Sequence, residues 1–305
     1  MLSTLKHAIT DRWFLQSIEK YRSKMGPKLA APFAAHYEAC RTAYTPHPID
    51  KQLSAAAERF SIDGFATYWS ERNRVLADSM LGKIKALEAA GHCPWNDDYM
   101  FTRDPWQEFP EIEEIFKSEL NDFVEAIYGS HAKIFYAKLY KSVRRSAEPE
   151  GSQLWHSDGG PGTCTNVMLY LSEGTKENGA MEVICWQDAK KIFPGEKAAM
   201  RKLLPEAAAQ AGRPLQRMEM RTVLTAWYRD QIAARGILVS QPTGQPGMVL
   251  AFRNNTIHKG GFPSEGHVRY VIVFHIYPSL APMPYEKYRN TGVAKTGAFP
   301  ANPAF

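Results

Sequence analysis

The chain has 305 residues, 44% hydrophobic and 12% aromatic, enough for one large domain with a sizeable core. Its 37 basic and 32 acidic side chains leave a net charge of +5, without a basic-aromatic stripe, which argues against nucleic acid as a partner. Cys40, Cys93, Cys164 and Cys185 lack C-x-x-C spacing and read as the reduced thiols of a cytoplasmic protein, and no apolar run reaches the roughly 20 residues of a membrane helix.

Residues 1–130 are helix-rich and read as support for a sheet: Ile18–Met25, Leu29–Tyr44, Gln52–Phe60, Phe65–Ala90 and Ile112–Tyr128 carry apolar residues at helical spacing. Residues 131–186 and 245–278 read as the β core. Ile134–Tyr140 begins it, with Tyr136, Lys138 and Tyr140 on one face, where Lys138 is a candidate contact for a co-substrate or substrate. Ser152–Asp158 reads as extended chain, so Leu154, His156 and Asp158 look inward while Trp155 looks outward in a packing role. Gly159–Gly162 ends that element, and Asn166 follows as a further cofactor-site candidate.

Residues 187–244 form a long connection with two helical segments, Glu196–Ala211 and Pro214–Ala234. They read as a pair packed on the barrel wall or as a lid; in a lid, Arg217, Arg221 and Arg229 are candidate substrate contacts. Gly247–Phe252 is a buried strand that leads to His258. Arg269–Tyr277 alternates so that Arg269, Val271, Val273 and His275 share a face, and residues 279–305 read as an irregular tail.

The chemistry rests on four positions in order: His156, Asp158, His258 and Arg269. Two imidazoles and a carboxylate hold a redox-active iron by three ligands and leave positions open, the facial triad of non-haem Fe(II) oxygenases. H-x-D alone is a weak signal. On a strand the two residues share a face, whereas His36 and Glu38 lie on a helix, where residues two apart do not. A guanidinium opening an apolar strand is costly to bury unless it meets an anion, and its planar fork suits a carboxylate. Each residue taken singly has a plainer reading: Asp158 as a turn cap, His258 as a loop histidine, Arg269 as a surface ion pair. His267 reads as a solvent histidine and His275 as packed in or near the core.

Four segments carry a family resemblance: LWHSDGG at Leu154–Gly160, TNVMLYLSEGTKENGAMEVI at Thr165–Ile184, PGMVLAFRNNTIHKGG at Pro246–Gly261 and RYVIVFHIYP at Arg269–Pro278. Together they make about half of the chain resemble the phytanoyl-CoA dioxygenase-like branch of the 2-oxoglutarate oxygenases. A weaker echo lies at Arg59–Phe65, and Glu177-Asn178-Gly179-Ala180 is similar to the family's hairpin turn.

The resemblance implies a mainly β, double-stranded β-helix (jelly-roll) core with a helix-rich N-terminal part and a helical insertion. It assigns Fe(II) to His156, Asp158 and His258 and the distal carboxylate of 2-oxoglutarate to Arg269, with O2 as oxidant. It further implies hydroxylation of a small-molecule C–H bond with release of succinate and CO2. Related halogenases lack the carboxylate ligand; Asp158 therefore points to hydroxylation. Where the family continues with a Pro-Gly-Ser-His-like segment, this chain has Cys185-Trp186-Gln187, and an acyl-CoA substrate is not implied. The alternatives are a cupin-like metalloenzyme that does not use 2-oxoglutarate and a non-catalytic jelly-roll binding module.

Overall fold

The computed structural model describes residues 30–158, 164–254 and 256–283. The expected helix Ile18–Met25, the Gly159–Gly162 turn and most of the tail lie outside them. The chain opens with α1 (Ala30–Ala43) and α2 (Lys51–Asp63). Asp50 caps α2 by accepting from the Gln52 N–H at 2.7 Å, and Gly64 ends it in the left-handed region at φ 76°. A Cβ on Gly64 would lie 2.7 Å from the Trp186 Cβ, so this turn needs glycine on two counts.

Gly64 turns the chain into β1 (Phe65–Tyr68), where a helix from Phe65 was expected. Pairing with a distant strand overrides local helical spacing here, and the helix proper, α3 (Glu71–Ala89), starts only after its Ser70 cap. Three short helices follow: α4 (Pro105–Glu108), α5 (Glu111–Phe116) and α6 (Glu119–Tyr128). The expected single helix Ile112–Tyr128 is thus two, broken at Lys117 and Ser118.

The β core consists of β2 (His131–Ser142), β3 (Thr165–Tyr170), β4 (Glu182–Ile184), β5 (Val239–Ser240), β6 (Val249–Arg253), β7 (His258–Lys259) and β8 (Arg269–Ser279). Five strands make an antiparallel sheet in the order β1-β6-β3-β8-β2, and three make a second in the order β5-β4-β7. The resemblance implied that the Asn-Gly turn after β3 closes a hairpin, but β3 and β4 lie in different sheets. β3 pairs with β6 and β8, so the turn at residues 175–180 carries the chain from one sheet to the other.

Alternation decides which residues face the space between the sheets. Met168 and Tyr170 of β3, Leu250 and Phe252 of β6, Val271 of β8 and Val183 of β4 form one buried cluster there. The other face of the large sheet, with Val167, Leu169, Ile272 and Phe274, packs under α2–α6 in a second cluster. A register shift between Ile134 and Tyr136 inserts one extra residue, so Ile134 and Ala137 both belong to this outer cluster despite their odd spacing.

The long connection holds α7 (Trp186–Ala211) and α8 (Arg217–Ala234). α7 begins ten residues earlier than the sequence suggested and continues through Pro194 and Pro205. A third cluster joins both helices to Trp155, Ile184 and Ile257 on the outside of the small sheet. Trp155 is therefore turned away from the barrel interior and buried, in the packing role expected of it. All four cysteines are free, and among the described residues no helix is long and apolar enough to cross a membrane.

Candidate metal centre

His156 and Asp158 follow a 3-10 turn at Gly151–Gln153, where extended chain was expected throughout, and His258 opens β7. The two histidines are direct partners across an antiparallel bridge, and each backbone N–H donates to the other's carbonyl at 2.9 Å. Two residues on, the Asp158 N–H donates to the Asn254 carbonyl at 2.9 Å. Backbone hydrogen bonds thus set the spacing of all three side chains.

Both imidazoles are oriented in the same way. His156 Nδ1 lies 2.6 Å from the Leu154 carbonyl oxygen and His258 Nδ1 lies 2.9 Å from that of Thr256. A carbonyl only accepts, so each Nδ1 carries the proton and each Nε2 keeps its lone pair. This is how a metal-bound histidine is held. His156 Nε2 is 3.6 Å from Asp158 Oδ1 and His258 Nε2 is 3.8 Å from Asp158 Oδ2, too long for hydrogen bonds. The three donor atoms lie within 4.8 Å of one another.

Burial acts to raise the Asp158 carboxyl, but His156, His258 and His275 outweigh it and hold it well below the usual carboxylate range. Burial first, and His156 second, push His258 down to about 4 against the pull of Asp158. At neutral pH Asp158 is ionised and His258 is a neutral donor, the states that a divalent ion requires.

Asn166 donates from Nδ2 to Asp158 Oδ2 at 2.7 Å, while its own Oδ1 is buried without a partner. Its amide nitrogen is therefore committed to the carboxylate ligand. His275 is the cross-strand partner of Asn166 and shares the inward face of Val271 and Val273. It is buried beside Asp158, in keeping with the sequence reading that packs it in or near the core. His267 is exposed against Asn178, as expected.

Arg269 is buried at the start of β8. Its Nη2 donates to Ser142 Oγ at 3.1 Å, but Nε and Nη1 have no partner. The guanidinium lies over the Tyr170 ring at 5.6 Å from the centroid, and the Tyr170 hydroxyl is also buried without a partner. Each such buried group costs about 1–3 kcal/mol until it is satisfied. A carboxylate can accept from all three. Tyr170 was missed in the sequence, although the alternation Asn166, Met168, Tyr170 on β3 places it inward.

Lys138 is half-buried on the inward face of β2, opposite Val273 and two residues from Tyr140. Of the three arginines of α8, Arg229 points to solvent beside Asp230, and the Arg217 side chain lies outside the described residues. Arg221 donates to the Gly151 carbonyl at 3.4 Å, and its charge acts on His258.

A scan against protein-family models finds no match, and a search of curated proteins finds none. Among solved structures the chain is similar to AviO1 from Streptomyces viridochromogenes Tue57, with 16% identity and a TM-score of 0.50 over 77% of this chain and 99% of that one. It is equally similar to EctD from S. alaskensis, solved with 2-oxoglutarate and 5-hydroxyectoine, with 16% identity and a TM-score of 0.50 over 77% of this chain and 80% of that one. EctD is also solved with bound Fe. Identity this low speaks to the fold alone, and no match singles out the phytanoyl-CoA dioxygenase-like branch. The fold is the jelly roll found in iron- and 2-oxoglutarate-dependent oxygenases.

Proposed function

We propose that the chain is an Fe(II)- and 2-oxoglutarate-dependent dioxygenase that hydroxylates an unactivated C–H bond of a small-molecule substrate. The observation that carries the reading is the pairing of two unmet needs in one barrel. Two histidines and an aspartate present converging donor atoms, and an arginine with two unpartnered nitrogens is buried on the neighbouring sheet. His156, Asp158 and His258 hold the iron. Arg269, with the Tyr170 hydroxyl, receives the distal carboxylate of 2-oxoglutarate, and Lys138 adds a second positive charge on the inward face.

Bound iron with 2-oxoglutarate and O2 supplies the oxidising chemistry: one oxygen atom goes to the substrate, the other to succinate, and CO2 is lost. The protein's share is geometry. Asn166 fixes the carboxylate ligand, the two backbone carbonyls fix the imidazoles, and the apolar lining from Met168, Leu250, Phe252 and Val271 limits water between the sheets.

The test is anaerobic loading with Fe(II), followed by 2-oxoglutarate, while the visible spectrum is recorded. A charge-transfer band is expected, absent in His258→Ala. In Arg269→Ala the band should persist but need roughly 10–100-fold more 2-oxoglutarate, the loss of a charge-assisted pair. Stoichiometric iron without a band in the wild-type protein would remove 2-oxoglutarate from the scheme and promote the cupin-like alternative.

A further inference from the structure

Asn166 is 2% exposed on the inward face of β3, flanked across the strands by Phe252 of β6 and His275 of β8. The two ends of its amide are treated differently. Asp158 is ionised and only accepts, so the 2.7 Å bond to Asp158 Oδ2 comes from Nδ2 and fixes which way round the amide lies. Oδ1 is thereby turned away from the carboxylate, enclosed and without a donor. A buried oxygen in that state is costly, and the amide cannot flip to relieve it without losing the contact to Asp158.

What can donate to Oδ1 is narrowed by the reaction proposed above, on which the inference rests. At neutral pH 2-oxoglutarate carries two carboxylates and a ketone, all acceptors, and O2 has no proton to give. A water on the metal is a donor, but the co-substrate and O2 take up the positions that three protein ligands leave open. The lining from Met168, Leu250, Phe252 and Val271 is apolar, and His275, though adjacent, does not bond this oxygen. The component left is the substrate.

We infer that Asn166 is a specificity-determining residue whose Oδ1 accepts a hydrogen bond from an O–H or N–H group of the substrate, a compact and otherwise apolar molecule. The other end of the same amide bonds Asp158, so that donor group sits beside the metal and close to the C–H bond that is attacked. The rest of the substrate packs on the apolar lining between the sheets. Asn166 thus has two separable tasks, holding Asp158 through Nδ2 and reading the substrate through Oδ1. A site built around such a bond rejects an analogue without the donor, because its own buried oxygen is then left unpaired.

The test uses protein loaded with saturating Co(II) and 2-oxoglutarate, kept anaerobic so that nothing turns over, and reads arrivals beside the metal in the visible spectrum. The probes are matched pairs that differ in the donor: cyclohexanol against methoxycyclohexane, and δ-valerolactam against its N-methyl derivative. The wild-type protein should respond to the donor-bearing member of at least one pair at about tenfold lower concentration than to its methylated partner. In Asn166→Leu, once the acceptor is gone, the two members should bind within about twofold of each other. Saturating Co(II) keeps weaker metal binding from entering the comparison. Asn166→Asp keeps an acceptor oxygen and loses the amide donor; it should take up Co(II) less well yet keep the preference, a split that a merely structural Asn166 does not produce. It also serves if Asn166→Leu fails to fold. No response to any probe, no preference in the wild-type protein, or an unchanged preference in Asn166→Leu would overturn the inference alone. A Co(II)-loaded protein whose spectrum ignores 2-oxoglutarate would overturn the proposed function with it.

Discussion

At the residue scale, the arrangement of His156, Asp158 and His258 depends on groups outside the three. Asn166 is the plainest case: its 2.7 Å bond holds one oxygen of Asp158, leaving the other to face His156. Asn166→Ala should lower metal affinity roughly 10-fold while leaving the thermal midpoint of the metal-free protein nearly unchanged, measurable by Co(II) titration beside a melt. The convergence of His156, Asp158 and His258 was legible in the sequence, because extended chain puts residues two apart on one face and because His258 follows in order. The tasks of Asn166 and Tyr170 were not. Both depend on how β3 is registered against β8, which pairs Asn166 with His275 across more than a hundred residues of chain. Alternation did put His275 on the face of Arg269, and it is buried there as expected.

At the scale of elements, α3 is fastened to the large sheet by one carboxylate. Glu88 accepts from Lys141 Nζ at 2.7 Å on β2, from the Tyr270 hydroxyl at 2.6 Å on β8 and from Trp95 Nε1 at 2.9 Å. Burial acts to raise its carboxyl, and the three donors more than reverse this, so it titrates below its ordinary value. A folded carboxyl with a lowered pKa stabilises the protein above the unfolded value, about 4.3, and that stability drains away as pH falls through the folded value. Glu88→Gln should cost about 1–2 kcal/mol at neutral pH and flatten the acid side of a melting-temperature profile, with little further loss below pH 4 or so. Because Tyr270 adjoins Arg269, the same clamp fixes where Arg269 enters the sheet. Helical spacing found α2, α3 and α6 but not the four-residue β1, whose partner β6 lies far along the chain. A strand this short carries little periodicity, and its pairing is decided elsewhere.

At the scale of the whole molecule, the helices from α2 to α6 and the outer face of the large sheet share one buried cluster, with Met80, Ile84, Phe123 and Phe274 fully enclosed. Neither layer covers its apolar surface alone, so heat should melt helix and barrel together. Far-ultraviolet and near-ultraviolet circular dichroism should follow a single curve, and Met80→Ala should lower stability by about 2–5 kcal/mol without splitting it. The jelly roll was legible through the resemblance carried by four segments, and the helical insertion through the helical spacing of its apolar residues, whereas the packing of both insertion helices on Trp155, Ile184 and Ile257 was not. The mutual backbone pairing of His156 and His258 has a further bearing. A centre whose spacing is cast by a sheet does not wait for an ion to fold it, so chelation should empty it and leave the barrel standing. Such a mould discriminates poorly among ions of similar size, and nitrogen-oxygen donor sets bind Ni(II) or Cu(II) more tightly than Fe(II). On the proposed reading, which ion fills the site is then a question of supply, and Ni(II) or Cu(II) should displace Fe(II) and suppress turnover.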